Sequence, residues 1–251
     1  MSGPALEPDT LATVAGWYGK IPALGDFASR RLSSGFVNLW DAWLQRSLVA
    51  SRAILRENWQ ETYLNSPIWR FALLPGVFDD KCWIGIMMPS ADRVGRYFPL
   101  TIALSLDPHP EIVSRVFAAQ NWFAGLEHIA LASLSMDFQV TELENRLEAS
   151  PFGKFSQADD IGSSSTRELA RWWAGSGNEP IVFSLPDLDA INTMLNMGGL
   201  SLLSASGFGK SLWWTSDELA GTTQLRGFSG LPPEDYFQIL LSGVASRPMS
   251  L

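Results

Sequence analysis

Ile68-Trp69-Arg70-Phe71-Ala72-Leu73-Leu74, Cys82-Trp83-Ile84-Gly85-Ile86-Met87-Met88 and Tyr97-Phe98-Pro99-Leu100-Thr101-Ile102-Ala103-Leu104-Ser105-Leu106 are the stretches whose reading decides the fold. Each is rich in the apolar residues of a pleated surface, and Pro75-Gly76 and the polar run Ser90 to Arg96 separate them. Three strands with short connections predict antiparallel neighbours. The second and third are apolar at nearly every position, as strands are when both faces are buried. Helices must then cover each side of the sheet. The expected fold class is α/β (α+β), a three-layer α/β/α sandwich with a mainly antiparallel or mixed central sheet.

Upstream, Val37, Trp40, Leu44, Leu48 and Leu55 recur at three-, four- and seven-residue steps among Asp41, Gln45, Arg46, Arg52 and Arg56, which predicts an amphipathic helix over Phe36 to Asn58. Before it, Trp17 to Lys20 reads as a brief strand and Ile21 to Phe27 as a loop carrying Pro22 and Gly25. Downstream, Pro110 to Met136 and Val140 to Ala149 read as helices, and Pro151 to Thr166, with two glycines and three consecutive serines, as a loop. Beyond the loop come a helix over Thr166 to Ala174, a strand over Ile181 to Leu185 and a helix over Leu188 to Met197 stopped by Gly198-Gly199. A hairpin of Leu200 to Ala205 and Ser211 to Thr215 follows, and Tyr236 to Ser242 closes as a helix. Residues 1–15 read as a tail and 16–251 as one domain, with 151–166 as the place where it would divide.

The chain of 251 residues carries 26 acids against 18 bases, a formal charge of −8 that disfavours nucleic acid and anionic membrane as partners. No run nears the roughly 18–20 apolar residues of a spanning helix. Met1 to Thr10 lacks the basic and apolar regions of a signal peptide, so a soluble, cytoplasmic protein is expected. Cys82, the single cysteine, excludes an internal disulfide and reads as a small buried side chain.

Catalytic patterns are incomplete. Gly209-Lys210-Ser211 matches the end of a phosphate-binding loop, but Ser204 stands in place of its first glycine and Ser211 to Thr215 reads as a strand, not the helix such a loop needs. Gly227-Phe228-Ser229-Gly230 lacks the last glycine of a nucleophile elbow. His109 and His128 do not have ligand spacing, and Asp79-Asp80 and Asp159-Asp160 lie in expected loops, where solvated turn acids are commoner than metal ligands. No catalytic residue, metal or cofactor is therefore assigned. The 11 tryptophans are mostly core by expectation, and any exposed on one face would suit docking. In Ser90 to Tyr97, the Asp and two Arg either pair internally or present a guanidinium fork to a carboxylate or phosphate.

Gly19-Lys20-Ile21-Pro22, Gly25-Asp26-Phe27, Trp40-Asp41-Ala42-Trp43-Leu44 and Ser66-Pro67-Ile68-Trp69-Arg70-Phe71 leading to Pro75-Gly76 carry a family resemblance in order and spacing. It continues through Trp83, Met88-Pro89-Ser90 and Asp92 to Leu100. The sequence resembles the TagF family, also called ImpM, accessory proteins of bacterial type VI secretion. The likeness is dense to about residue 110, and Ser211 to Thr215 and Gly230-Leu231-Pro232 match its later landmarks.

The resemblance implies a cytoplasmic, non-enzymatic repressor that acts on assembly or firing of the secretion machine after translation, through protein–protein binding. The implied partner is the forkhead-associated scaffold protein of that system. A serine/threonine phosphatase, fused to some members, is expected here as a separate protein. Gly25, Asp26 and Phe27 in one loop, Ser90, Asp92, Arg93, Gly95 and Arg96 in another, and Trp69 and Arg70 are the expected partner-binding residues. The alternatives are a structural component of the machine and, more remotely, an enzyme binding a small anionic ligand at the Ser90 to Tyr97 loop.

Overall fold

The computed structural model describes residues 14–153, 168, 188–217 and 222–243. Strand β4 (Cys82–Met88) is buried at every position, because β3 (Trp69–Leu73) and β5 (Leu100–Leu106) flank it and helices cover both its faces. Phe71 and Ala103 stand opposite Gly85 on its two sides. With β1 (Gly16–Gly19), β2 (Ala28–Arg30), β6 (Lys210–Asp217) and β7 (Thr222–Ser229), the described strands form one seven-stranded sheet in the order β2-β1-β5-β4-β3-β6-β7. Every pairing is antiparallel.

Period-two alternation sends side chains into two cores. Trp69, Phe71, Leu73, Trp83, Met87 and Trp213 face α1 (Ser34–Leu55), α2 (Trp59–Leu64) and α7 (Phe237–Ser242). Ile84, Ile86, Leu100, Ile102 and Trp214 belong to the other core, with α3 (Ile112–Ala118), α4 (Gln120–Ala132) and α5 (Val140–Ala149). Helix α6 (Leu188–Ala205) adjoins α3, whose Val113 N–H donates to Ser204 Oγ at 3.2 Å.

Ser33 starts α1 by accepting the Phe36 N–H at 3.2 Å. The buried face of α1 is aromatic: Phe36 stacks on Trp83 at 4.1 Å between centroids, and Trp40 lies parallel to Trp213 at 5.9 Å. Such pairs contribute about 0.5–1.5 kcal/mol each beyond area burial. Their indole nitrogens also tie layers together: Trp40 donates to Thr101 Oγ1 at 2.8 Å and Trp69 to the Leu240 carbonyl at 2.8 Å. Among the described residues every tryptophan is buried except Trp122, which is half-buried, so this residue type is spent on the core.

The three-layer sandwich and the three deciding strands match the sequence reading. Three local expectations do not. The helix expected over Pro110 to Met136 breaks at Ala119 into α3 and α4, where Phe117 packs on Trp214 at 5.0 Å and Gln120 takes a bond from Arg70. Leu200 to Ala205 is helical, because α6 runs straight through Gly198-Gly199. The hairpin partner of β6 is consequently β7, which the sequence reading left unassigned, as it did β2. The expected helix Thr166 to Ala174, the strand Ile181 to Leu185 and most of the tail and of the 151–166 loop lie outside the described residues.

Gly199 is exposed inside α6 and a Cβ there meets nothing within 4 Å. Gly199→Ala is expected to raise the unfolding free energy by about 1 kcal/mol, since Ala loses less backbone freedom in a helix. Urea unfolding checks this as a higher midpoint at unchanged slope.

Candidate functional site

Two loops meet where β1 ends and β5 begins: residues 20–27, between β1 and β2, and residues 89–99, between β4 and β5. Gly19, at a φ of 135°, lets them close, because a Cβ there would lie 2.1 Å from the Pro99 carbonyl oxygen. Asp92 is the hub. Its Oδ2 accepts from Lys20 Nζ at 2.9 Å and from Arg96 Nε at 2.6 Å, while Oδ1 accepts the N–H groups of Val94 at 3.1 Å and Arg96 at 2.9 Å. The Asp92 side chain is wholly buried and that of Lys20 nearly so. Burial works to raise the pKa of Asp92, since it disfavours the charged form. The bonds from Lys20, from the Arg96 backbone and from its guanidinium outweigh burial and hold the carboxyl well below the usual carboxylate range.

The arginines then clip one loop to the other. Arg93 donates from its guanidinium to the Ala23 carbonyl at 2.8 Å and from its backbone to Leu24 at 3.1 Å, and Arg96 reaches the Gly25 carbonyl at 2.6 Å. Below them, Tyr63 Oη donates to the Ser90 carbonyl at 2.9 Å and accepts the Ser90 N–H at 3.1 Å. Burial holds the Tyr63 hydroxyl well above the usual phenol range, so it stays protonated for that double role. Trp59 stacks on Tyr63, takes the edge of Tyr97 and carries the Arg52 guanidinium 4.1 Å over its ring. Phe27 packs edge-on against Phe98 at 4.8 Å, with Lys20 Nζ 4.6 Å from its ring centroid.

The corner brings together eight of the ten residues singled out in the sequence. Gly25, Asp26, Phe27, Arg93, Gly95 and Arg96 are exposed on it, and Ser90 and Asp92 are buried at its base. Trp69 and Arg70 lie elsewhere, on β3. Trp69 is wholly buried under α7, and Arg70 is held bidentately by Glu127 at 2.6 and 2.8 Å and by Gln120 at 2.7 Å on α4. Lys20, Arg52 and Tyr63 belong to the corner but were not singled out in the sequence, and Val94 entered only as part of the Ser90 to Tyr97 loop. Lys20 left one signal, a lone charge between Trp17-Tyr18 and Ile21 that burial obliges to find a partner.

The remaining chemical groups serve local structure. The buried Cys82 thiol is pushed up to about 12 by desolvation and is unreactive. Asp79 accepts the Lys81 N–H and the Trp83 indole, as a turn acid does. Arg115 donates to His109 Nε2 at 2.7 Å, and His128 bonds the carbonyl of Ala124. Lys210 lies at the start of β6 and bonds Ser229, so no helix follows Gly209-Lys210-Ser211. Among the described residues no cluster of three His, Cys, Asp or Glu suits a metal ion, and no helix is long and apolar enough to cross a membrane. An open groove of about 590 Å³ lies away from both loops, between Trp43 and Arg46 of α1 and the Leu231 to Asp235 turn.

Fold and corner define an α/β/α sandwich whose two loops are latched by a buried ion network. The chain belongs to the family described as "TagF N-terminal domain, Type VI secretion system-associated", whose model matches residues 16–150. It is also similar to the crystal structure of PA0076 from Pseudomonas aeruginosa PAO1, at 29% identity and a TM-score of 0.67, over 94% of this chain and 98% of that one. No curated protein matches the chain.

Proposed function

We propose that this protein is a cytoplasmic, non-enzymatic repressor of type VI secretion, acting after translation by binding the forkhead-associated scaffold of the system. Membership of the type VI secretion-associated family carries this reading. The corner supports it: Phe27 and Val94 stand 43% and 70% exposed beside the fixed guanidinium groups of Arg93 and Arg96. Apolar knobs and arginines on a rigid base are what anchor protein interfaces. A separate serine/threonine phosphatase is a second partner in this reading.

The test is capture of partners by the tagged full chain from its native cytoplasm, with secretion measured in the matching deletion strain. Recovery of the scaffold and increased secretion on deletion are expected. Unaltered secretion, with no secretion component retained, would overturn the proposal. A structural component would instead be found stoichiometrically in assembled machines, and its deletion would abolish secretion.

A further inference from the structure

The corner holds more positive charge than it neutralises. One carboxylate, Asp92, serves both Lys20 and Arg96. Among the described residues Arg52 and Arg93 pair with no carboxylate: Arg52 lies over the Trp59 ring and Arg93 bonds the Ala23 carbonyl. Asp26, the exposed acid of the two loops, turns Oδ1 back onto the Phe27 N–H at 2.8 Å. Within the two loops Lys20, Arg93 and Arg96 stand against Asp26 and Asp92, an excess of one positive charge on a chain whose formal charge is −8, with Asp41, Glu57 and Glu61 on the helices beside them.

We infer that this corner docks an acidic segment of a protein partner, with carboxylates on Arg93 and Arg96 and an apolar side chain against Phe27 and Val94. The inference rests on the regulator reading and specifies its partner's chemistry. Carbonyl oxygens of Ala23 and Gly25 already orient the two guanidinium groups, so carboxylate capture costs little side-chain freedom. Charge sets the orientation as well. An acidic partner is repelled by a chain of net charge −8 and drawn to the exposed Arg93 and Arg96, which favours docking in that pose.

Fluorescence anisotropy on the full chain tests this with three short labelled peptides: glutamates around a phenylalanine, lysines around a phenylalanine, and glutamates around an alanine. The first is expected to bind about tenfold or more tightly than either control, a difference of roughly 1.4 kcal/mol. Its affinity should fall with added salt. Val94→Asp should weaken it about tenfold at unchanged melting temperature, because that side chain is exposed, and Arg93→Glu should weaken it as much with only a small loss of melting temperature from its bond to the Ala23 carbonyl. Equal binding of the acidic and basic peptides, or wild-type affinity in both variants, would overturn the inference. So would a wild-type dimer that Val94→Asp turns into a monomer, since a second copy would then be the occupant. Complementation separates this from failure of the regulator reading. Should Arg93→Glu restore repression in the deletion strain as fully as wild type, the corner falls and the regulator stands. Should wild type itself fail to repress, the regulator reading falls, and the docking inference with it.

Discussion

Lys20→Met is expected to lower the unfolding free energy at neutral pH by roughly 1.5–3 kcal/mol, the scale of a lost hydrogen bond to a charged group. Met fills similar space, so packing changes little. What is lost is the cation 2.9 Å from a carboxylate shielded from water, leaving Arg96 to carry it alone. The pH dependence separates the pair from the packing. Asp92 is held below its ordinary value near pH 3.9, so below about pH 4 the unfolded chain binds the proton that the folded chain excludes. Stability from Asp92 is therefore complete above that pH and is lost as pH falls toward the folded value. Once Asp92 is protonated, Lys20 has no anion to serve. The gap between wild type and Lys20→Met should accordingly narrow as pH falls below about 4, which urea unfolding at several pH values measures. A gap that stayed constant would assign the loss to packing.

Gly19→Ala is the second large loss expected, about 2–6 kcal/mol. A new Cβ would stand 2.1 Å from the Pro99 carbonyl oxygen and 3.0 Å from Leu100 Cα, both backbone atoms that cannot swing aside as a side chain does. Overpacking costs about 1–3 kcal/mol, and a side chain at this φ of 135° adds strain of about 1–3 kcal/mol. Relief requires β1 to part from β5, where Tyr18 pairs with Thr101. Thermal unfolding measures the effect against Gly25→Ala, whose Cβ meets nothing within 4 Å and whose cost should stay within about 0.5 kcal/mol. Equal melting temperatures in the two variants would show that the close approach at Gly19 is not a constraint.

The candidate site was partly legible before the structure. Gly25-Asp26-Phe27 and Ser90 to Tyr97 are polar, glycine-bearing connections, and the family resemblance includes both. Their contact through Arg93 and Arg96 is a fact of three dimensions. The roles inside them divided in a way that residue type does not show. Asp26 and Asp92 are both loop aspartates, yet one is exposed beside its own backbone and the other is buried under two cations. Trp69 and Arg70 look like interface anchors in sequence, but β3 lies near the middle of the sheet and helices on both faces consume them.

Sequence by itself determined the elements whose pattern is local: β4, apolar throughout because both faces are covered, and α1, with apolar positions three and four apart. From these followed the three layers. Tertiary structure decided the rest. Strand β6 lies beside β3, more than a hundred residues away in the chain, and α6 stays helical through two glycines. Asp92 found Lys20 across 72 residues. Periodicity records which side of an element is buried, and burial is a property each segment carries alone. Strand order, a helix that outlasts its glycines and the partner of a buried charge depend on what the other segment supplies, so they exist only once the chain has folded.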